Sequence, residues 1–225
     1  MGILAELKVE GGKSALLVVD MVRGYFDPQF SYAPLEKEDA ARVTRGVQSL
    51  LQSFRARNLP VIYTQNYGRR TAWGPVDKKN PFLRWQEENR KKVAGAGFTR
   101  KTSLNTEGSP YAEVHDAVGP REGEIVVHKP RYDSFYSTHL EVILKGLGTE
   151  NLFLCGVNTN NCVLATAYGA FCRDYRVFLV EDACATWNGP ELHRAAVSEV
   201  AASLGWVTAC AEVEAHLAPE APAKG

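Results

Sequence analysis

The hydrophobic residues of this chain fall into short continuous runs, and the segments between the runs place apolar residues with a helical period. The runs cover 14–20, 61–65, 124–129, 152–157, 176–182 and 206–213. Such runs are typical of strands that are buried on both faces of a parallel sheet. The periodic segments predict helices over 36–57, 82–92, 111–118, 140–148, 160–174 and 190–204. Their alternation predicts the α/β class: three-layer α/β/α, with a doubly wound, Rossmann-like and mainly parallel sheet of about six strands.

Two stretches depart from this alternation. Residues 66–110 are rich in turn formers, charges and aromatic side chains, and a stretch of this length is typical of a lid or a subunit contact. Residues 215–225 are rich in Pro and Ala and predict a frayed tail. We therefore expect a single domain over 1–225, in which 66–110 is a lid or oligomerisation insertion. The expected assembly is a homodimer or homotetramer.

The charge balance narrows the classes of partner. Twenty-six basic residues equal the 26 acidic ones, so the net charge is zero, which argues against nucleic acid or a membrane surface as a partner. There is no signal peptide pattern and no apolar run of the ~20 residues that cross a bilayer, so we expect a cytoplasmic protein. The five cysteines form no CxxC pair, which predicts free thiols. A nucleotide-binding module is disfavoured because no glycine-rich turn follows the first run.

Three chemically active side chains stand where predicted strands end. Asp20 closes the first run, Lys129 closes the third, and Cys162 follows the fourth through a short polar turn. The carboxyl ends of strands in a doubly wound sheet share one edge, where ligands bind. Each residue also has an ordinary structural explanation, because cysteines are often buried, aspartates cap turns and lysine chains extend to solvent.

A thiol, an ammonium and a carboxylate at one edge suit nucleophilic catalysis. A helix start at Cys162 and the charge of Lys129 both favour the thiolate, so we expect a lowered pKa for Cys162 and its selective alkylation near neutral pH. Asp20 can accept the thiol proton and return it to a leaving amine. His128 points to the opposite face of its strand by the two-residue period, which favours a structural role.

Three motifs, in order, resemble the isochorismatase-like cysteine hydrolases. They are LLVVDM at 16–21, VVHKPRYDSFYSTHLE at 126–141 and GVNTNNCVLATAYGAFCRDYRVFLVEDACAT at 156–186, and the resemblance spans about residues 14–210. It implies an isochorismatase-like fold and a catalytic triad of Asp20, Lys129 and Cys162. It also implies a cis peptide bond between Val157 and Asn158, with the N–H groups of Asn158 and Cys162 as the oxyanion hole.

The resemblance implies an amidohydrolase that releases ammonia through a thioester acyl-enzyme. Nicotinamidases of the family bind a metal through a histidine motif, but the segment QNYGRRTAWG at 65–74 has no histidine, so we expect no metal and no cofactor. Cys162 argues against the vinyl ether hydrolases, which lack this cysteine. The motifs are most similar to hydrolases of biuret and triuret. Ureidoacrylate, an N-carbamoyl amino acid or another small amide such as nicotinamide remain alternative substrates, and a catalytically silent assembly protein is the non-enzyme alternative.

A flat, polar ureide needs side-chain amides around it and aromatic walls. Arg23 could also bind a carboxylate if the substrate is anionic. For Asn161 and Asn188, ordinary turn chemistry is the more common role. The candidate substrate-binding residues are Arg23, Tyr25, Phe26, Asn66, Tyr67, Phe135, Asn161 and Asn188.

Overall fold

The apolar runs form the six parallel strands of one sheet. The computed structural model describes residues 2–31, 33–72, 74–75, 80–94 and 105–218. The strands are β1 (Ser14–Val19), β2 (Val61–Asn66), β5 (Ile125–Lys129), β6 (Asn151–Val157), β7 (Arg176–Ala185) and β8 (Gly205–Thr208). A separate antiparallel pair joins β3 (Arg70–Thr71) to β4 (Gly74–Pro75). The predicted α/β class and parallel sheet are confirmed.

Helices connect the strands and cover both faces of the sheet. They are α1 (Ile3–Glu6), α2 (Arg23–Phe26), α3 (Lys37–Ala56), α4 (Pro81–Ala94), α5 (Leu140–Gly146), α6 (Leu164–Phe171), α7 (Pro190–Glu199) and α8 (Cys210–Leu217). Short 3₁₀ turns occupy Gly11–Lys13, Pro110–Ala112 and Asp116–Val118, and wider π-helical turns occupy Thr159–Val163 and Val200–Leu204. In the described part of the chain, no helix is long and apolar enough to span a bilayer.

Alternate residues of β1 face opposite layers, which explains why its sequence is continuously apolar. Leu16 and Val18 belong to a buried cluster with side chains of α3 and α8, among them Val47, Leu50, Phe54 and Val213. Leu17 and Val19 belong to a second cluster with side chains of α5 and α6, among them Leu140, Leu144, Ala167 and Ala170. The sheet is therefore the middle of three layers.

The strand order places a crevice at the centre of the sheet. The order is β5-β2-β1-β6-β7-β8, so the chain builds outward from β1 in one direction and then from β6 in the other. Ligands of doubly wound sheets bind beyond the carboxyl ends of the strands at such a reversal. The residues that follow β1 and β6 flank this position.

The predicted helix over 111–118 is wrong. Two 3₁₀ turns stand there instead, and the residues between them pair with the segment after β1. Val114 forms an antiparallel bridge with Val22, and the His115 N–H donates to Met21 O at 2.8 Å. Because these backbone groups are used in pairing with a distant segment, they are not free to continue a helix.

The last predicted strand, over 206–213, is also too long. β8 ends at Thr208 and α8 begins at Cys210, where the Cys210 N–H donates to Asp182 Oδ1 at 2.9 Å. This carboxylate caps the helix start, and Val213 then packs into the cluster beside α3. Residues 215–217 lie in α8 rather than in a frayed tail, and residues 219–225 lie outside the described residues.

The structure also bears on the predictions for the strand at 124–129 and for the segment 66–110. The strand at 124–129 is an edge strand and is not buried on both faces as predicted, since Val126 on it is 40 % exposed. The helix predicted within 66–110 is present as α4, with Phe82 and Trp85 exposed, whereas Trp73 and Phe98 lie outside the described residues. The role of 66–110 as a lid or oligomer contact stays a prediction.

Candidate active site

The ends of three strands bring Asp20, Lys129 and Cys162 together. Asp20 directly follows β1, Lys129 is the last residue of β5, and Cys162 lies in the turn after β6. Lys129 Nζ lies 2.8 Å from Asp20 Oδ2, and the Cys162 thiol interacts with both side chains. The three residues are only 2 %, 0 % and 4 % exposed, so their charges act on one another with little screening by water. Their catalytic roles remain predictions.

Thr64 on β2 holds the Asp20 carboxylate. Its hydroxyl donates to Asp20 Oδ1 at 3.0 Å, and the Asp20 N–H donates to Thr64 O at 3.2 Å. These contacts leave Oδ2 for Lys129 and the thiol. Sequence reasoning missed Thr64, for which the signal was a hydroxyl near the end of an otherwise apolar strand.

Lys129 is a buried cation with partners on several sides. Its ammonium forms the ion pair with Asp20 Oδ2 and donates to Arg131 O at 3.1 Å and Tyr132 O at 3.0 Å. Burial lowers the pKa of Lys129, but the charge of Asp20 and the neighbouring Cys162 sulfur outweigh burial and raise the pKa above its ordinary value. Lys129 therefore stays protonated and acts as a fixed positive charge.

Cys162 lies in a π-helical turn, not at the start of the α-helix predicted over 160–174. The turn covers Thr159–Val163, and the Val163 N–H donates to Asn158 O at 3.2 Å, five residues apart. The α-helix proper, α6, begins only at Leu164. Such wide turns are frequent at functional sites.

The expected lowering of the Cys162 pKa is wrong. Burial of the thiol is the largest influence and raises its pKa, the charge of Asp20 raises it further, and Lys129 lowers it by less. The lysine and the helix start are visible in the sequence, whereas the burial of the thiol depends on the folded structure. The resting Cys162 side chain is consequently a neutral thiol, and a nucleophilic role would require a base to remove its proton.

The peptide bond between Val157 and Asn158 is cis, as the family resemblance implies. Asn158 then begins the turn that leads to Cys162, so the two residues named for the oxyanion hole stand at the start and near the end of one turn. The Asn158 side chain is 2 % exposed, and its Oδ1 accepts from the Trp187 N–H at 3.2 Å. The oxyanion role of the two N–H groups stays a prediction.

The first group of candidate substrate-binding residues lies on α2. Arg23 pairs with Glu113 at 3.0 Å and, through both carboxylate oxygens, with Asp116 at 2.7 and 2.8 Å. Tyr25 is buried in the cluster on the α3 side of the sheet, and Phe26 stacks on a histidine ring, His115. The charge of Arg23 is thus already balanced by two carboxylates.

The second group lies around Lys129. Asn66 Nδ2 donates to Lys129 O at 3.3 Å and to Arg131 O at 3.1 Å, which holds the turn after β5 against β2. The Tyr67 ring stacks on His128 at a centroid distance of 3.9 Å, and Tyr67 O lies 2.9 Å from His128 Nε2. This contact gives His128 the structural role expected for it. Phe135 is buried and stacks on Tyr175 in the cluster that includes Cys162.

The third group lies at the nucleophile turn. Asn161 is half-buried within it. Asn188, in the loop after β7, donates through Nδ2 to Asn160 Oδ1 and to Thr186 Oγ1, both at 3.1 Å, so its amide already has partners within the protein. Among the described residues, no cluster of three or more His, Cys, Asp or Glu side chains could hold a metal ion.

Comparison with known proteins decides the family. A family model described as the isochorismatase domain matches residues 14–212. The chain belongs to the isochorismatase family. The fold is shared with a cysteine hydrolase from Pseudomonas syringae pv. phaseolicola, which superposes with a TM-score of 0.75 at 24 % identity, covering 93 % of this chain and 94 % of that one.

Relatives of this isochorismatase-family chain are amidohydrolases by name. The ureidoacrylate amidohydrolase RutB of Methylobacterium radiotolerans is 31 % identical over 207 residues, which are 90 % of this chain and 78 % of that protein. An N-carbamoylsarcosine amidase from Thermoplasma acidophilum superposes with a TM-score of 0.64 at 26 % identity, covering 88 % and 96 % of the two chains. These relatives agree with the amide hydrolysis predicted from the sequence.

Proposed function

We propose that this protein is a cysteine-dependent amidohydrolase that cleaves a C–N bond of a ureido group and releases ammonia. The observation that carries the proposal is the buried Asp20–Lys129 ion pair, with which the buried Cys162 side chain interacts electrostatically. A buried ion pair is costly to form, and a nucleophile beside it has both a base and a fixed counter-charge. The amidohydrolase names of the relatives support the reaction class.

In the first step, Cys162 attacks the ureido carbonyl while Asp20 removes the thiol proton. Asp20 is the base because Lys129 donates to two backbone carbonyls, is paired with the carboxylate and has a raised pKa. Lys129 stabilises the ionised carboxylate before attack and the negative charge that passes through the sulfur during it.

The tetrahedral oxyanion then lies against the N–H groups of Asn158 and Cys162. Asp20 returns the proton to the departing nitrogen, which leaves as ammonia, and the acyl group stays on sulfur as a thiocarbamate. Water, deprotonated by Asp20, attacks this acyl-enzyme, and the same proton returns to the sulfur. The product carbamate leaves and the thiol is regenerated.

We propose an anionic ureido acid of the ureidoacrylate type as the substrate. The sequence analysis favours biuret or triuret and keeps ureidoacrylate as an alternative, whereas the relatives at 26–31 % identity are named for ureidoacrylate and N-carbamoylsarcosine. Both names describe a ureido group on a carboxylic acid. One observation favours neutral biuret instead: the Arg23 guanidinium is already paired with Glu113 and Asp116.

Ammonia release from a matched set of substrates tests this proposal. The set is ureidoacrylate, N-carbamoylsarcosine, biuret, triuret and nicotinamide. We expect the highest kcat/KM with ureidoacrylate, and Cys162→Ser should lose nearly all turnover because the hydroxyl is a far weaker nucleophile. Preference for biuret or triuret would replace the substrate assignment, and an active Cys162→Ser enzyme would overturn the mechanism. Cys155→Ser, which alters another buried thiol, is the matched control.

A further inference from the structure

Three consecutive side chains after the cis bond are tied to one segment, Thr186–His193. Asn158 Oδ1 accepts from the Trp187 N–H at 3.2 Å. Asn160 Oδ1 accepts from Thr186 Oγ1 at 2.7 Å and from Asn188 Nδ2 at 3.1 Å. This segment follows β7 and continues into α7, so a different part of the chain holds the nucleophile turn.

The third tie joins Thr159 to His193. Thr159 Oγ1 lies 2.9 Å from His193 Nδ1, and Thr159 is only 1 % exposed. Nε2 of the same imidazole lies 3.9 Å from Glu181 Oε1 on β7. With the ring proton on Nε2 towards this carboxylate, Nδ1 accepts from the buried threonine hydroxyl, which would otherwise lack a partner.

Burial and the charged groups around His193 together lower its pKa and favour the neutral imidazole. Burial is the largest influence and lowers its pKa, Arg42 lowers it as well, and Glu181 and Asp39 raise it by less. Arg194, on the same helix, also lowers the pKa. Arg42 and Asp39 face the ring from α3, and Glu181 faces it from β7.

The turn that Asn158 begins carries both the Cys162 thiol and the two proposed oxyanion donors. In this wide turn, Asn158 O accepts two backbone hydrogen bonds, from the N–H groups of Asn161 and Val163. Donors of an oxyanion hole must be held within a fraction of an ångström, and a displacement of about 1 Å can lower the rate about 100-fold. Side-chain contacts from outside the turn can supply this rigidity.

We propose that His193 is a positioning residue, which holds the turn of Cys162 and the oxyanion donors in place through its hydrogen bond to Thr159. The segment Thr186–His193 acts as a clamp on this turn, and Asn188 belongs to the clamp rather than to the substrate pocket. The catalytic consequence rests on the proposed amidohydrolase function. The structural consequence, a rigid turn, does not.

The kinetic test compares His193→Ala with His193→Asn. Asn places a polar atom where Nδ1 stands in histidine, so it keeps the contact with Thr159 that Ala removes. We expect His193→Ala to lower kcat about 10–100-fold on the preferred ureide with KM changed less than about 3-fold, and His193→Asn to recover most of the loss. Thr159→Val should match His193→Ala, and the double variant should be no worse, because one hydrogen bond is lost in all three.

Amide hydrogen exchange tests the clamp without any substrate. Exchange in the peptide covering 157–164 should be faster in His193→Ala and Thr159→Val than in the wild-type protein, and close to wild type in His193→Asn. His216→Ala is the matched control. His216 is a half-buried histidine on α8 whose Nε2 lies 2.9 Å from Val9 O, so the substitution should change neither the exchange of 157–164 nor kcat.

Several results would overturn the clamp. Unchanged kcat and unchanged exchange in His193→Ala would show that His193 does not position the turn. Additive losses in the double variant would show that Thr159 and His193 do not act through one bond. No rescue by His193→Asn would exclude the hydrogen bond as the cause. If the wild-type protein hydrolyses none of the amides, the proposed function fails, and the exchange measurement still decides the clamp.

Discussion

At the scale of single residues, the site contains a buried ion pair that is costly to form. Asp20 and Lys129 are both almost fully buried, and the cost of removing two charges from water commonly equals or exceeds their attraction. Asp20 also adopts a positive φ of +48°, an uncommon conformation for a residue other than glycine. Costly features of this kind collect at functional sites.

Lys129→Met tests how strongly the two charges depend on each other. The variant leaves the Asp20 carboxylate buried without its counter-charge, so we expect the free energy of unfolding to fall by about 3–5 kcal/mol in urea titrations. Adding Asp20→Asn should restore part of this stability because no charge is then buried, while activity stays absent. Equal stability of Lys129→Met and the wild-type protein would contradict the strength of this pairing.

At the scale of elements, a glycine lets β6 approach β1 beside the site. Gly156 has a φ of +110°, and a Cβ added there would lie 2.1 Å from Val19 O on β1. The register of β6 with β7 also shifts between Leu154 and Gly156. The end of β6 therefore lies close against β1, just before the turn that carries Cys162.

Gly156→Ala should destabilise the protein by about 2–5 kcal/mol, because it combines an unfavourable φ with a backbone clash. The measurement is the urea unfolding midpoint. Gly146→Ala is the matched control: Gly146 ends α5 with no atom within 4 Å of an added Cβ, so its stability should be unchanged or slightly higher. A Gly156→Ala protein as stable as this control would show that the strand can move apart without cost.

At the scale of the whole molecule, an ion pair connects the long helix to the edge of the sheet. Arg55 on α3 donates to both carboxylate oxygens of Glu124, at 2.7 and 2.8 Å, just before β5. Burial raises the pKa of Glu124, but hydrogen bonds from Arg55 and from the Arg121 N–H outweigh it and hold the pKa below its ordinary value of 4.5. This contact helps to keep β5, and so Lys129, against β2.

The lowered pKa makes the contribution of Glu124 to stability depend on pH. The stabilisation is fully present above pH 4.5, the ordinary value, and disappears as the pH falls through the lower pKa of the folded protein. The stability difference between the wild-type protein and Glu124→Gln, measured in urea from pH 7 to 3, should therefore shrink only below about pH 4.5. The exposed Glu122→Gln is the control. A difference that stays constant down to pH 3 would contradict the shift.

By itself, the sequence determined the layers, most element positions and the three strand ends that carry Asp20, Lys129 and Cys162. Continuous apolar runs and helical periods are local patterns. A residue that ends such a run lies at the carboxyl end of its strand, whatever the order of the strands in a parallel sheet. The three motifs added the family and the cis bond. The helix predicted over 111–118 was wrong because pairing with Val22 overrode a weak local preference for helix.

Only the tertiary structure decided which side chains meet at the site and how burial changes their pKa values. The strand order brings β5 within reach of β1, so that the Lys129 side chain extends past β2 to Asp20. Burial reversed the expected pKa shift of Cys162, since desolvation depends on every layer around the thiol and not on its neighbours in sequence. The contacts of Thr64 and His193 likewise join segments distant in sequence, which no local pattern records.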